Sequence, residues 1–209
     1  MHYELGEEYL AYTIQYPDLS QILLLSQPMS KLVLLSSVQL THTISRLAYQ
    51  LIENHGDFSQ SAIIGLQPRG IYLSKRIVAE LENILGHPVN AGTLDATFYR
   101  DDFRQHKEPI LPQATDLKFS VEGKKVILVD DVLFTGRTIR AGMDALLDFG
   151  RPSLIELCVL IDRRFSRQLP VQPDYTGRVV DTISSEKVKV EWSETDGSNQ
   201  VILFSQEPE

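Results

Sequence analysis

Two adjacent carboxylates, Asp130 and Asp131, follow the apolar run of residues 126–129 and precede a turn at residues 134–138. An apolar run without polar alternation is typical of a strand buried on both faces of an α/β sheet, and such sheets bind ligands at the carboxyl ends of their strands. Residues 139–149 have the pattern of a helix. The stretch therefore predicts a strand, a ligand-binding loop and a helix.

The residue types of this loop favour a phosphate. Gly136 allows close backbone approach, Thr135 and Thr138 offer hydroxyl donors, and the amides that open the helix attract anions. Asp130 and Asp131 would repel that phosphate, so sugar hydroxyls are the better partners for them, with Mg2+ close by. A phosphorylated ribose meets both demands. The alternative is an ordinary strand with a solvated Asp pair and a capped helix.

A second strand and loop have the same order. Residues 61–66 form a short apolar run, Gln67 to Gly70 form a turn, and a helix is predicted to about Leu85. Arg69 can donate two hydrogen bonds to phosphate oxygens, and Gly70 permits backbone approach. A plain strand-to-helix turn is the alternative here.

The composition limits the classes of protein to which the chain can belong. Its 209 residues and 43% apolar content can form one sizeable core. The single Cys158 fits a reducing cytoplasm and is predicted to lie in a buried strand. A net charge of −8 disfavours indiscriminate binding of nucleic acid, and no run is long enough to span a membrane. Residues 1–30 contain no Lys or Arg and are predicted to be an appended extension, which leaves residues 31–209 as one domain.

Residues 94–125 form a long polar connection of the kind that often serves as a lid. Tyr99, Arg100 and Asp101 are predicted to reach inward from the region 98–116. A surface hairpin held by charges is the alternative.

The remaining segments predict the rest of the sheet and its cover. Trp192 is predicted to be a packing residue, and His42 and His55 are predicted to lie on the surface. The predicted elements are a helix at 37–54, strands at 89–93 and 154–161, and a terminal hairpin that pairs 188–192 with 201–204.

The stretch from Val129 to Thr138 resembles the signature of type I phosphoribosyltransferases, which bind phosphoribosyl pyrophosphate. It lacks the Gly-Lys-Ser/Thr of a nucleotide triphosphatase loop. The resemblance implies an α/β fold with a central, mostly parallel sheet flanked by helices, a small hood and a flexible lid loop. It also implies that Pro68, Arg69 and Gly70 belong to the loop that holds pyrophosphate.

Further segments indicate one subgroup of that family. The segments 65–73, 98–102 and 142–153 resemble the pyrimidine operon attenuator proteins that also act as uracil phosphoribosyltransferases, over roughly residues 31–192. Phe134 stands where purine-salvage members place an acid, and an apolar residue fits a uracil pocket better. The residues alone indicate phosphoribosyl transfer, and another base such as hypoxanthine or orotate stays open.

The resemblance implies roles for particular residues. Asp130, Asp131 and Arg69 would be catalytic, with Mg2+ held mainly by substrate and water near the two carboxylates. The implied ligands are uracil, phosphoribosyl pyrophosphate and uridine monophosphate, in a cytoplasmic homodimer or higher homo-oligomer. The substrate-binding residues would be Pro68, Arg69, Gly70, Arg100, Val132, Leu133, Phe134, Thr135, Gly136, Arg137 and Thr138.

A regulatory RNA-binding protein, sensing nucleotide through the same pocket and binding the messenger leader of pyrimidine genes, is the competing hypothesis. The helix 37–54 keeps Arg46, whereas Tyr49 and Asn54 depart from the polar or basic side chains of the attenuator family. The family's Gly-His-Arg pattern becomes residues 164–167, one residue longer. The candidates for a basic patch that would bind RNA are Arg163, Arg164, Arg167, Arg178 and Lys187.

Overall fold

A computed structural model describes residues 31–101, 114–183 and 185–205. The strands are β1 (Leu32–Leu35), β2 (Ser61–Leu66), β3 (Asn90–Leu94), β4 (Lys125–Leu133), β5 (Leu154–Arg164), β6 (Tyr175–Asp181), β7 (Glu186–Glu191) and β8 (Gln200–Ser205). The helices are α1 (Ser37–His55), α2 (Gly70–Leu85), α3 (Arg137–Leu147) and the single turn α4 (Ser193–Asp196), with a short 3-10 helix at Thr97–Tyr99.

The central sheet has the order β3-β2-β4-β5-β6, and each of its neighbouring pairs is parallel. β4 lies in the middle because its apolar residues 126–129 are fully buried and suit a strand covered on both faces. Leu47 of α1 and Leu73 of α2 pack on one face, and Ile139 of α3 packs on the other. The predicted α/β architecture is confirmed, and it brings the carboxyl ends of β2, β4 and β5 to one edge.

A second sheet, with the order β1-β8-β7, is antiparallel and corresponds to the predicted hood. The predicted terminal hairpin is confirmed, since Val190 pairs with Val201. Trp192 is fully buried, as predicted, and the Arg76 guanidinium carbon of α2 lies 4.5 Å from the centre of its ring. We use the name hood for β1, β7, β8 and α4.

Several element boundaries differ from those predicted. β4 continues through both carboxylates to Leu133, so the Asp pair lies within the strand rather than after it. α3 begins at Arg137, directly after Gly136, whose left-handed backbone has a φ of 90°, and it ends at Leu147. β5 extends to Arg164, and β1 was not predicted.

The prediction of a surface position is wrong for His55, although His42 is exposed as predicted. The His55 side chain is 1% exposed. Its Nδ1 lies 2.9 Å from the Ser61 hydroxyl, and its Nε2 lies 3.1 Å from the Tyr175 hydroxyl and 3.0 Å from Glu156. Buried polar groups require such partners, which come from three different strands and are invisible in the local sequence.

Residues 1–30 and 102–113 lie outside the described residues, and so do the corresponding parts of the predicted extension and lid. In the ranges that the structure does describe, no helix has the length and apolar character needed to cross a bilayer.

Candidate functional site

The carboxylate pair is buried at the end of the central strand. Asp130 is 8% and Asp131 7% exposed. The pKa of Asp130 lies well above its ordinary value because burial and the neighbouring Asp131 both disfavour its charge. Burial also raises the pKa of Asp131, while Arg69 opposes that rise. Burial therefore favours the neutral form of both carboxyl groups, and hydrogen-bond donors or a cation brought by a ligand would favour the charged form.

The loop predicted to bind phosphate, residues 134–138 and called the phosphate loop below, joins β4 to α3. The left-handed backbone of Gly136 lets the chain turn, and the Thr135 carbonyl accepts hydrogen bonds from the amides of Gln168 at 3.0 Å and Leu169 at 3.2 Å. A cavity of about 270 Å³ opens at this loop. Its lining consists of Arg100, Asp130, Val132, Leu133, Phe134, Thr135, Gly136, Arg137, Thr138 and Ile139.

The loop predicted to hold pyrophosphate, residues 67–70 and called the pyrophosphate loop below, lies beside the same strand end and contains a cis peptide between Gln67 and Pro68. Arg69 donates from Nε to Asp131 at 3.2 Å, which joins this loop to the carboxylate pair. A Cβ atom on Gly70 would stand 2.3 Å from the Val129 carbonyl oxygen. Only glycine permits this approach, so the start of α2 rests directly on β4.

The connection after β3 reaches the phosphate loop through two side chains. Arg100 donates to the Thr138 hydroxyl at 3.2 Å and lines the cavity. Asp101 forms an ion pair with Arg137. Tyr99 does not face inward as predicted, because its hydroxyl donates to Asp148 beyond α3.

Phe134 lies on one side of the cavity and contacts residues at the end of β5 and just after it. The Arg163 guanidinium carbon lies 4.1 Å from the centre of the Phe134 ring, and Arg167 donates to the Phe134 carbonyl while pairing with Asp162. The sequence analysis assigned Arg163 to a basic patch. It missed Gln168, which accepts from Arg137 at 2.8 Å, because no local pattern marks it.

The arginines of the predicted basic patch have partners within the chain. Arg163 donates to the Thr182 hydroxyl at 3.1 Å, and Arg164 contacts both oxygens of Asp181 at 2.6 and 2.7 Å. Arg178 donates to the Leu34 carbonyl. Only Lys187, of the residues considered, is exposed with no partner among the described residues.

A magnesium ion would find few protein ligands here. Within the described ranges, no group of three or more His, Cys, Asp or Glu side chains is placed to hold a metal. Asp130 and Asp131 alone fit an ion bound through one or two carboxylates and completed by phosphate and water.

A wider cavity of about 440 Å³ lies between α1 and α2 and is lined by Leu40, Ile44 and Arg76 among others. Glu80 in that cavity accepts from Ser45 at 2.9 Å. It has no buried carboxylate pair or glycine loop, so the chemistry points to the smaller cavity at the sheet edge.

Comparison with known proteins shows the family to which the chain belongs. The family description "Phosphoribosyl transferase domain" matches residues 34–195, and the chain belongs to this family. The family predicted from the motifs is thereby confirmed.

The chain is similar to proteins named "Bifunctional protein PyrR". The one from Bacillus subtilis is 43% identical over 180 residues, covering 85% of this chain and 98% of the relative. The one from Picosynechococcus is 44% identical over 175 residues, covering 84% and 98%.

Solved structures share the fold. A hypoxanthine-guanine phosphoribosyltransferase from Leishmania tarentolae, in complex with GMP, superposes with a TM-score of 0.64 at 18% identity, covering 87% of this chain and all of the other. A hypoxanthine phosphoribosyltransferase from Trypanosoma cruzi gives 0.65 at 16% identity, covering 85% and 92%.

Proposed function

We propose that this chain transfers the phosphoribosyl group of phosphoribosyl pyrophosphate to uracil, giving uridine monophosphate and pyrophosphate. One observation carries the proposal: the buried carboxylate pair lies between two loops, because Asp130 lines the cavity at the phosphate loop and Asp131 accepts from Arg69 of the pyrophosphate loop. A phosphorylated ribose suits this order, with its 5′-phosphate at one loop and its leaving group at the other.

In this reaction the bond from the anomeric carbon to a uracil nitrogen forms as the bond to pyrophosphate breaks, and the nitrogen passes its proton to water or to the released pyrophosphate. The ribose becomes cationic in between. Asp130 and Asp131 accept hydrogen bonds from the ribose hydroxyls and stabilise that cation, while Arg69 stabilises the developing charge on pyrophosphate. Bound Mg2+ would neutralise the phosphates near the two carboxylates.

The phosphate loop supplies binding energy far from the reacting atoms. Thr135, Thr138 and the amides that open α3 would hold the 5′-phosphate, and Arg137 and Arg100 add positive charge at the rim. Because these groups act on a part of the substrate that does not react, their binding energy can position the anomeric carbon.

Uracil as the base follows from Phe134 and from the relatives. An apolar ring at Phe134, backed by Arg163, offers a flat surface and no carboxylate for the exocyclic groups of a purine. The test is a panel of free uracil, hypoxanthine, guanine and orotate with phosphoribosyl pyrophosphate and Mg2+. Formation of uridine monophosphate alone is expected; turnover of a purine or orotate instead would overturn the assignment of the base.

RNA binding is a second candidate function, favoured by the resemblance to the attenuator family and by relatives named "Bifunctional protein PyrR". The chain would bind the leader of pyrimidine messengers when uridine monophosphate is present. The internal pairing of Arg163, Arg164 and Arg178 argues for the enzyme as the main activity. Filter binding of that leader, with and without uridine monophosphate, tests the RNA-binding function. No retention of the leader at low salt would leave only the enzymatic function.

We also propose that the chain forms a cytoplasmic homodimer or higher homo-oligomer.

A further inference from the structure

Asp196 connects the hood to the pyrophosphate loop. It lies in α4, 127 positions from Arg69, yet its Oδ2 is 3.4 Å from the Nη2 atom of Arg69. The same Nη2 donates to the Val190 carbonyl of β7. The hood therefore contacts a residue that the proposed reaction uses for its leaving group.

Three groups other than Arg69 hold the Asp196 carboxylate in place. Lys189 lies 2.7 Å from its Oδ1, and its Oδ2 accepts from the Thr195 hydroxyl at 2.8 Å and the Trp192 amide at 3.1 Å. These donors, Lys189 first, hold the pKa of Asp196 far below its ordinary value. The carboxylate is thus charged and held in place by the backbone of its own turn.

Two of the three guanidinium nitrogens of Arg69 have hydrogen-bond partners among the described residues. Nε donates to Asp131, and Nη2 donates to Val190 and Asp196. Nη1 makes no hydrogen bond to any residue that the structure describes. A guanidinium restrained in this way keeps two donors ready for an anion without losing further side-chain freedom when it binds.

We infer that Asp196 is a positioning residue: it holds Arg69 against the hood so that the Nη1 edge meets pyrophosphate. The inference rests on the proposed function. It makes the hood part of the leaving-group site. Asp196 acts through Arg69, and Lys189 supports Asp196 from the other side.

The test measures binding of inorganic pyrophosphate with Mg2+ to the full chain by calorimetry. In Asp196→Asn, pyrophosphate should bind about 10-fold more weakly, since small misplacements of a binding group have effects of this order or larger. The KM for phosphoribosyl pyrophosphate should rise, while the KM for uracil stays unchanged. Glu194→Gln is the matched control, because Glu194 lies in the same turn but pairs with Arg76 at 2.8 Å; it should behave like the wild type.

A double-mutant cycle separates positioning from damage to the hood. Asp196→Asn should have no further effect on pyrophosphate binding in an Arg69→Ala background. An equal loss in both backgrounds would overturn the inference, and so would tighter binding by Asp196→Asn, which would make Asp196 a competitor of pyrophosphate.

Pyrophosphate binding also distinguishes this inference from the proposed function, since it needs no base. A wild-type chain that binds pyrophosphate through the Asp196–Arg69 coupling but does not use uracil would overturn only the choice of base. A chain that does not bind pyrophosphate would overturn both the role of Asp196 and the proposed function.

Discussion

Gly70 contacts Val129 so closely that a Cβ atom at Gly70 would stand 2.3 Å from the Val129 carbonyl oxygen and 3.0 Å from the Cα atom of Asp130. Gly70→Ala should therefore push α2 and Arg69 away from the carboxylate pair. We expect a loss of about 1–3 kcal/mol in the free energy of unfolding, as for other overpacked sites. Turnover should fall as well, and denaturant unfolding with steady-state kinetics measures both effects.

Gly86→Ala is the control for that substitution. It should cost about 1–2 kcal/mol through its left-handed backbone, but a Cβ there meets nothing within 4 Å. Full turnover is expected in this variant. Equal activity of the Gly70 and Gly86 variants would contradict the proposed role of the contact.

Asp131→Asn should reduce formation of uridine monophosphate by about 10²–10³-fold, the scale for loss of one electrostatic contact to a transition state. The fold should persist, because burial already disfavours the charge of Asp131. Product formation and thermal unfolding are the measurements. Asp144→Asn, at an exposed carboxylate of α3, should match the wild type; near-normal turnover by the Asp131 variant would remove that residue from the mechanism.

Phe134→Asp should reduce the use of uracil by at least about 10-fold, because the new carboxylate would pair with Arg163 and remove the apolar surface. Phe149→Asp is a suitable control, since Phe149 is 47% exposed and Phe134 44%. The kcat/KM for uracil in both variants gives the answer. An unchanged value in the Phe134 variant would show that the base binds elsewhere.

The His55 cluster predicts a dependence of stability on pH. Burial lowers the pKa of His55 below 6.5, and Lys125 adds to that shift while Glu156 opposes it. Below about pH 6.5 the unfolded chain therefore takes up a proton that the folded imidazole does not, and stability falls until the pH reaches the folded pKa.

His55→Gln should accordingly show a smaller loss of unfolding free energy between about pH 8 and pH 5.5 than the wild type. Denaturant unfolding at the two values measures it. The exposed His42→Gln serves as the control and should keep the wild-type difference. The same loss in all three proteins would exclude His55 as a source of the pH dependence.

The sequence by itself determined the local elements and the two loops. The apolar run before Asp130, the Pro68-Arg69-Gly70 turn and the helical spacing of residues 37–54 are periodic or compositional signals that need no distant partner. Resemblance then supplied the family and the base. Boundaries at β4 and α3 shifted by a few residues because local patterns do not mark where a strand ends.

Only the tertiary structure decided which distant residues meet. Asp196 and Arg69 are 127 positions apart, and Arg163 lies over Phe134 only because β4 and β5 run side by side. The same long-range packing buried His55. It also supplied partners inside the chain for the arginines of the predicted basic patch. Such contacts depend on how strands pair and helices cover them, and no spacing within a short stretch of sequence encodes that arrangement.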